Sequence, residues 1–483
     1  MTPSDWKMSI DELVHGAEGQ LISRGETSFT GVGTDTRMDL SGKIFVALKG
    51  DSFDAHDFLV KAVRAGAAAL LVHRIPDEAR PELFGTTIVE VKDTLAGLQK
   101  LGGFWRHKMR AKIIGITGTN GKTTTKEFAA ALIGAKFKVQ YSKGSFNNHW
   151  GVPISLLTIE PSHQVALIEM GMNHPGELKV LCEIAEPDAV GVTMVGRGHL
   201  EGVGTIEGVA KAKAEIYEYS PKQAIRIFNL ENEYTRKMFE EWKNRLPPTQ
   251  MITFAGHGSA SGSADVSFEV AWAKADELKI RGEIRGVAGE AVVGVFGAHN
   301  VTNLMAAAAC ALFAGMSPEE IWQALPLCKM AWGRNQWVKL QNGARVLFDA
   351  YNANPESMGA AVENFKNLSV PAGGKKIAVL AEMRELGSHA SEMHRELGTR
   401  VATAGFDTVC FVGPSQGDFS AGLKAGGFKK SPLVSDSYEL NLASRMLPVL
   451  HDNDLILMKG SRGMELERFL MELKPLDFHA KKS

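Results

Sequence analysis

A lysine and a threonine directly behind a short glycine loop suit one kind of chemistry: holding a phosphate chain and a divalent ion. The stretch GITGTNGKTTT begins at Gly115 and runs through Gly121-Lys122-Thr123. The general phosphate-binding pattern is G-x-x-x-x-G-K-[ST], and its first glycine would fall at Ile116. What remains is the shorter G-x-x-G-K-T from Gly118 to Thr123. The physics survives the shortening. Glycines let backbone N–H groups approach an anion, and a helix starting at Lys122 would point its positive end at it. Gly118, Thr119, Asn120, Gly121, Lys122, Thr123 and Thr124 are therefore expected around a nucleoside triphosphate, with Lys122 on phosphate oxygens and the Thr123 hydroxyl on Mg²⁺.

Other residues carry chemistry with less specificity. Glu169 ends the apolar run QVALIEM, and ligands in open α/β sheets bind at strand C-termini. By residue type alone the alternative is a solvated strand-end carboxylate. His199 and Lys213 read, unaided, as a structural histidine and an exposed helix lysine. In GAHNVTN, Asn300 and Asn303 offer amides to an adenine edge or merely cap a helix, with His299 shaping the turn. Lys459, Ser461 and Arg462 follow a strand-like run and could hold an incoming carboxylate.

The elements that must position these residues are short apolar strands alternating with helices. KIFVAL and AAALLV suggest two strands in the first section. AKIIGIT, QVALIEM, AVGVTMV and AIRIFNL follow with helical segments between them, which implies a parallel sheet covered on both faces. VSFEVAW, LKIRGEI and AVVGVF lie too close together for helices and suggest antiparallel edge strands. Ser317 and Glu320 offer a capping box. RVLFDAY, KIAVLAE, TVCFVG and DLILMKG form a second βα series. The expected class is α/β with three domains, 1–110, 111–328 and 329–483, connected between the last two by residues 326–336. The first is a small α/β domain, the second a P-loop ATPase-like, mostly parallel sheet, and the third a Rossmann-like parallel sheet.

Composition narrows the function classes. The chain has 483 residues, 44% hydrophobic and 23% charged, with a formal net charge of −1, so no global field draws it to nucleic acid or a membrane. No apolar run approaches the roughly 20 residues that span a bilayer. Cys182, Cys310, Cys328 and Cys410 show no C-x-x-C spacing and read as reduced core residues of a cytoplasmic protein. A monomer is expected.

The T-G-T-N-G-K-T loop resembles the ATP loop of the Mur ligase family. The resemblance extends through KGSFNNHWGVPISLL (143–157), IEMGMNHPGE (168–177), GHLEGVG (198–204), AKAEI (212–216), GAHNVTNLMAAAA (297–309), DAYNANPESM (349–358) and KGSR (459–462), in the family's order. TDTR (34–37), GKIFVALKG (42–50) and DAHDF (54–58) are similar to the family's UDP-sugar domain. YNANPES resembles the branch that adds D-alanyl-D-alanine to a UDP-N-acetylmuramoyl-tripeptide, a bacterial cell-wall precursor.

The resemblance implies an ATP-dependent amide ligase working through an acyl phosphate with two Mg²⁺ ions. It implies metal ligation by Thr123, Glu169, His199 and Lys213, the lysine as an N-carbamate formed from CO₂, since an ammonium cannot ligate a cation. It places ATP also on Arg334 and Asp349, and the UDP substrate on Asp35, Thr36, Arg37, Phe45, Asn147 and Asn148. It puts the dipeptide on Tyr351, Asn352, Asn354, Glu382, Lys459, Ser461 and Arg462. Departures from the family's pattern are Arg197 in MVGRGH, Glu382 for the usual aspartate in LAEMRELG, NLENE at 229–233, and Thr36 for serine. A sibling ligase with another amine, a polyglutamate synthase and a non-catalytic nucleotide binder are the competing readings.

Overall fold

The computed structural model describes residues 6–50, 53–142, 144, 146–256, 264–439, 442–444, 450–476 and 478. Lys143 and Ser145 of the KGSFNN stretch lie outside the described residues.

Among the described residues the strands form three large sheets and one two-stranded ribbon. The first large sheet takes the order Gln20–Ser23, Thr87–Glu90, Ala69–Val72, Ile44–Val46 and Val32–Gly33, parallel except at the first pair. The second has nine strands. Lys112–Thr117 lies inside it between Val165–Glu169 and Ala189–Val192, both parallel to it. Lys112–Thr117 is buried at every position but Lys112, as its unbroken apolar pattern demands of a strand covered on both faces. The third sheet runs Gln336–Lys339, Arg345–Asp349, Leu455–Lys459, Lys376–Ala381, Thr408–Val412 and Leu433–Ser435, with only the first pair antiparallel.

The helix Lys122–Gly134 follows the glycine loop and buries Phe128, Ala129, Leu132 and Ile133, the i, i+1, i+4, i+5 stripe of one helical face. Each such large side chain taken from water contributes about 1.5–3 kcal/mol. This face shares its core with the Asn300–Ala314 helix and with Ile114 and Ile116 beneath. The loop is thus a taut connection between two buried elements. A second core runs without a break from Trp6 and Trp105 through Leu181 to Met358 and Phe411, so it crosses all three sheets.

Several expectations need correction. The third antiparallel strand is Val287–Val293, four residues earlier than AVVGVF suggests, because a two-residue turn at Arg285 and Gly286 links it directly to Leu278–Ile284. The strands Val139–Tyr141, Met251–Gly256 and Leu433–Ser435 have no clear periodicity and escape a sequence reading. The 326–336 segment is more than a connector: Lys329 bridges to Gly294, and Gln336 already begins a strand. The Ser317–Glu320 capping box is present with both bonds formed. All four cysteines are buried and none forms a disulfide among the described residues. No described helix is long and apolar enough to cross a membrane.

Candidate active site at the seam of two sheets

The glycine loop has the conformation its sequence asks for. Gly118 has φ +150° and Gly121 has φ +83°. A Cβ on Gly118 would lie 1.9 Å from Thr193 Oγ1, and one on Gly121 would lie 2.2 Å from Asn303 Oδ1. Only glycine fits at either position. Thr119 N donates to Met194 O at 2.8 Å, and the Thr119 hydroxyl accepts from Gly196 N at 3.0 Å, tying the loop to the neighbouring strand's end.

This loop forms one wall of a cavity of about 540 Å³. Thr119 to Thr124, Asn147, Asn148, Glu169, His199, His299, Asn300 and Asn303 line it from the central sheet. Arg334, Asp349, Tyr351, Asn352 and Lys459 line it from the C-terminal side. Most of the residues expected to meet ATP therefore converge, although they are drawn from Thr119 to Asp349 in the sequence.

At its centre Thr123 donates from Oγ1 to Glu169 Oε2 at 2.8 Å and accepts from Arg334 Nη2 at 3.0 Å. Asn147 Nδ2 donates to Glu169 Oε1 at 2.8 Å. Lys122 Nζ donates back to Gly118 O at 2.6 Å, held under the loop by its carbonyls. Burial lowers the Lys122 ammonium from its ordinary range, while the Glu169 charge works in the opposite direction. The Arg334 guanidinium lies over the Tyr351 ring, 4.6 Å from its centre. Lys459 Nζ donates to Asp349 Oδ2 at 2.6 Å and to Asn352 O at 3.0 Å.

His199 and Lys213 stand on the segments behind this centre. Lys213 is 1% exposed and makes no hydrogen bond or ion pair among the described residues. Burial first, and the Lys122 charge second, push its pKa well below the lysine range, so the neutral amine is favoured. His199 is mostly buried, and burial lowers its pKa too. Its Nδ1 lies 2.8 Å from Glu385 Oε2. That is an ion-pair distance, but the ring is not turned into hydrogen-bond alignment with the carboxylate. Contact with His199 is the largest cause holding the Glu385 carboxyl below its usual range.

Some expected site residues do not reach the cavity. Phe45 is 1% exposed and packs with Leu40, Leu59 and Leu70 in the N-terminal core, so its ring is structural. Asp35 and Arg37 bond each other at the surface, Arg37 Nη2 to Asp35 Oδ2 at 2.8 Å, and Thr36 sits half-buried between them. Asn147 and Asn148, expected with these on the UDP substrate, stand instead with the Thr123–Glu169 pair. Glu382 turns away and accepts from Ser415 N at 3.0 Å and Ser415 Oγ at 2.7 Å. Asn354 caps the Pro355–Lys366 helix and pairs reciprocally with Asn120, at 3.1 and 2.7 Å. Ser461 is buried and accepts from Arg384 N at 3.0 Å, while Arg462 pairs with Glu467.

Arg197, the unexpected cation, does not point at the Thr123–Glu169 pair. It crosses to the C-terminal helices and meets Glu356 at 3.1 Å and Glu396 at 3.4 Å. Sequence reading also passed over three contributors. Lys126 is wholly buried and donates to Ser142 O at 2.5 Å and Gly144 O at 2.8 Å, with Glu169 Oε2 3.8 Å away. Its signal was a lysine one turn beyond Lys122 on the same helix. Asn335 was hidden beside Arg334, and Glu385 lay in the MRELG stretch.

The arrangement can hold a nucleotide's phosphates against a hard cation while a second wall presents another reactant. Comparisons with known proteins agree. The Mur ligase middle domain profile matches residues 116–311, and the Mur ligase glutamate ligase domain profile matches residues 333–462. The UDP-N-acetylmuramoyl-tripeptide–D-alanyl-D-alanine ligase of Bacillus subtilis is 32% identical over 97% of this chain and 98% of its own. The enzyme of that name from Escherichia coli is 31% identical with the same coverage. The MurF crystal structure from Acinetobacter baumannii superposes with a TM-score of 0.84 at 28% identity, covering 98% of this chain and 99% of that one. MurF from Thermotoga maritima in complex with ADP gives a TM-score of 0.74 at 26% identity, covering 92% and 96%. With a profile on each side of the cavity and relatives matched over nearly their whole length, this chain belongs to the Mur ligase family.

Proposed function

We propose that this chain joins D-alanyl-D-alanine to UDP-N-acetylmuramoyl-tripeptide, with ATP converted to ADP and phosphate. The observation that carries the reading is the two-walled cavity, set in a chain that matches D-alanyl-D-alanine-adding relatives over 97% of its length. A carboxylate is a poor acylating group. Attack of its oxygen on the γ-phosphorus of ATP releases ADP and gives an acyl phosphate. Attack of the dipeptide nitrogen on that carbonyl carbon then forms the amide, expels phosphate and sheds one proton from nitrogen. Phosphoryl transfer of this kind needs positioning and charge neutralisation above all.

The residues divide accordingly. The loop amides and Lys122 take the phosphate chain. Arg334 and Asp349 reach it from the other wall, with Asn300 and Asn303 toward the base. Tyr351, Asn352 and Lys459 face the space left for the amine, the lysine's charge being already matched by Asp349.

Mg²⁺ fits the site on the chemistry of its donors. Thr123 and Glu169 present a hydroxyl and a carboxylate 2.8 Å apart, and Mg²⁺ favours one or two such oxygens completed by substrate phosphates and water. When bound, the ion would neutralise charge on the transferring phosphoryl group. Lys213 fits a carbamate, because the neutral amine is the form that adds CO₂ and burial shifts this lysine toward it. As a carbamate it would hold a second ion together with His199.

The test is phosphate release from ATP with UDP-N-acetylmuramoyl-tripeptide crossed against a panel of amines. D-alanyl-D-alanine should give the fastest release. A faster single amino acid or γ-glutamyl acceptor would favour a sibling ligase.

A further inference from the structure

We propose that Glu385 is a positioning residue for His199, supplied across the seam by the C-terminal sheet; the inference rests on the ligase reading above only for its effect on rate. Glu385 lies in the turn after the Lys376–Ala381 strand, and His199 in the turn after Ala189–Val192. Each adopts a left-handed backbone, at φ +64° and +60°. For a side chain with a Cβ this conformation is strained, and such strain persists where the surroundings hold it in place.

The surroundings here are each other. Glu201 N donates to Glu385 O at 3.4 Å, and a Cβ on Gly387 would come within 3.3 Å of Glu201 Cα. The two turns interlock, and the carboxylate is delivered 2.8 Å from His199 Nδ1. His199 is the sole ion-pair partner of Glu385 among the described residues.

A neutral imidazole carries one N–H. The carboxylate lies 2.8 Å from Nδ1 with the ring out of alignment; a small turn of the ring closes that bond, selects the Nδ1–H form and leaves the Nε2 lone pair free to face a ligand. Histidine comes from one sheet and carboxylate from the other, so the correct tautomer exists only when the two sheets are together. The Asn120–Asn354 pair and the Arg197–Glu356 ion pair hold that same approach.

The test reads His199 directly, without substrate, by side-chain ¹⁵N NMR, with its signal assigned from its loss in His199→Gln. The wild type should show Nδ1–H. Glu385→Gln should keep it, because an amide oxygen also accepts from Nδ1–H, whereas Glu385→Ala should move to Nε2–H. In turnover, Glu385→Ala should lose roughly 10- to 100-fold in kcat with the KM for ATP within about twofold, and Glu385→Gln should lose less than about fivefold. Glu385→Ala retaining either Nδ1–H or the wild-type kcat would overturn the proposal. So would Glu385→Gln slowing as much as Glu385→Ala, since charge and not orientation would then matter. Failure of the wild type to use D-alanyl-D-alanine would sink the ligase reading and leave the tautomer result standing.

Discussion

The seam between the central and C-terminal sheets is wired differently from the surface of the N-terminal sheet. At the seam, polar side chains bond across it: Asn120 with Asn354, Thr123 with Arg334, Arg197 with Glu356. On the N-terminal sheet they bond to near neighbours: Arg37 with Asp35, and Asp54 with His56 and Arg74. Residues at the seam are already held by a facing wall, whereas Asp35, Thr36 and Arg37 face none of the cavity. The first region is therefore expected to set the rate of the chemistry. The second should set only how a distant part of a large substrate is held, where binding energy appears chiefly in KM.

Variants can break that division. Lys122→Ala removes the cation beside the transferring phosphate and should lower kcat by roughly 10³-fold or more with the fold intact, judged by an unchanged thermal midpoint. A near-normal rate would remove the loop from the mechanism. Lys213→Ala should come next, with a loss on the order of 10²-fold, partly restored by a small added carboxylate. Lys213→Arg should not be restored, because a guanidinium stays charged. If carbamylation operates, the wild type should lose activity in CO₂-depleted buffer and regain it with bicarbonate.

The N-terminal sheet sharpens the contrast. Phe45→Ala should cost about 3–5 kcal/mol of stability in a denaturant titration, because it empties a core position. Enzyme that remains folded should keep its kcat. Arg37→Ala should leave stability unchanged and raise the KM for the UDP substrate about tenfold, as a lost charge-assisted contact would. The smallest effect is expected at Arg197. Its ion pairs are partly solvated, so Arg197→Ala should cost no more than about 1 kcal/mol, roughly fivefold in kcat/KM. That deficit should shrink as salt screens the wild-type pairs.

What the sequence reveals follows the range of the interactions involved. The glycine loop is written locally, since strand, glycines, lysine and helix are contiguous, and it folds as its spacing predicts. The parallel strands were legible because burial on both faces leaves unbroken apolar runs, as in KIIGIT and VALIE. Edge strands such as Val139–Tyr141 have a weaker pattern because only part of each is covered. Glu382 and Asn354 do not line the cavity, for a different reason. Their motifs fix where the backbone goes, but the side chain's partner is chosen by Ser415 in one case and Asn120 in the other, 33 and 234 positions away. Lys213 is the reverse case. By residue type it is a surface lysine, and only the packing of its helix against the sheet buries it and lowers its pKa.

The most direct test of the account follows oxygen atoms. UDP-N-acetylmuramoyl-tripeptide labelled with ¹⁸O in its reacting carboxylate is incubated with ATP and D-alanyl-D-alanine, and phosphate and peptide products are weighed by mass spectrometry. The account predicts one ¹⁸O in each phosphate released and the pentapeptide formed in equal amount with ADP, because the carboxylate oxygen is carried off when the amine displaces phosphate. Unlabelled phosphate, or ADP formed without the pentapeptide, would contradict it.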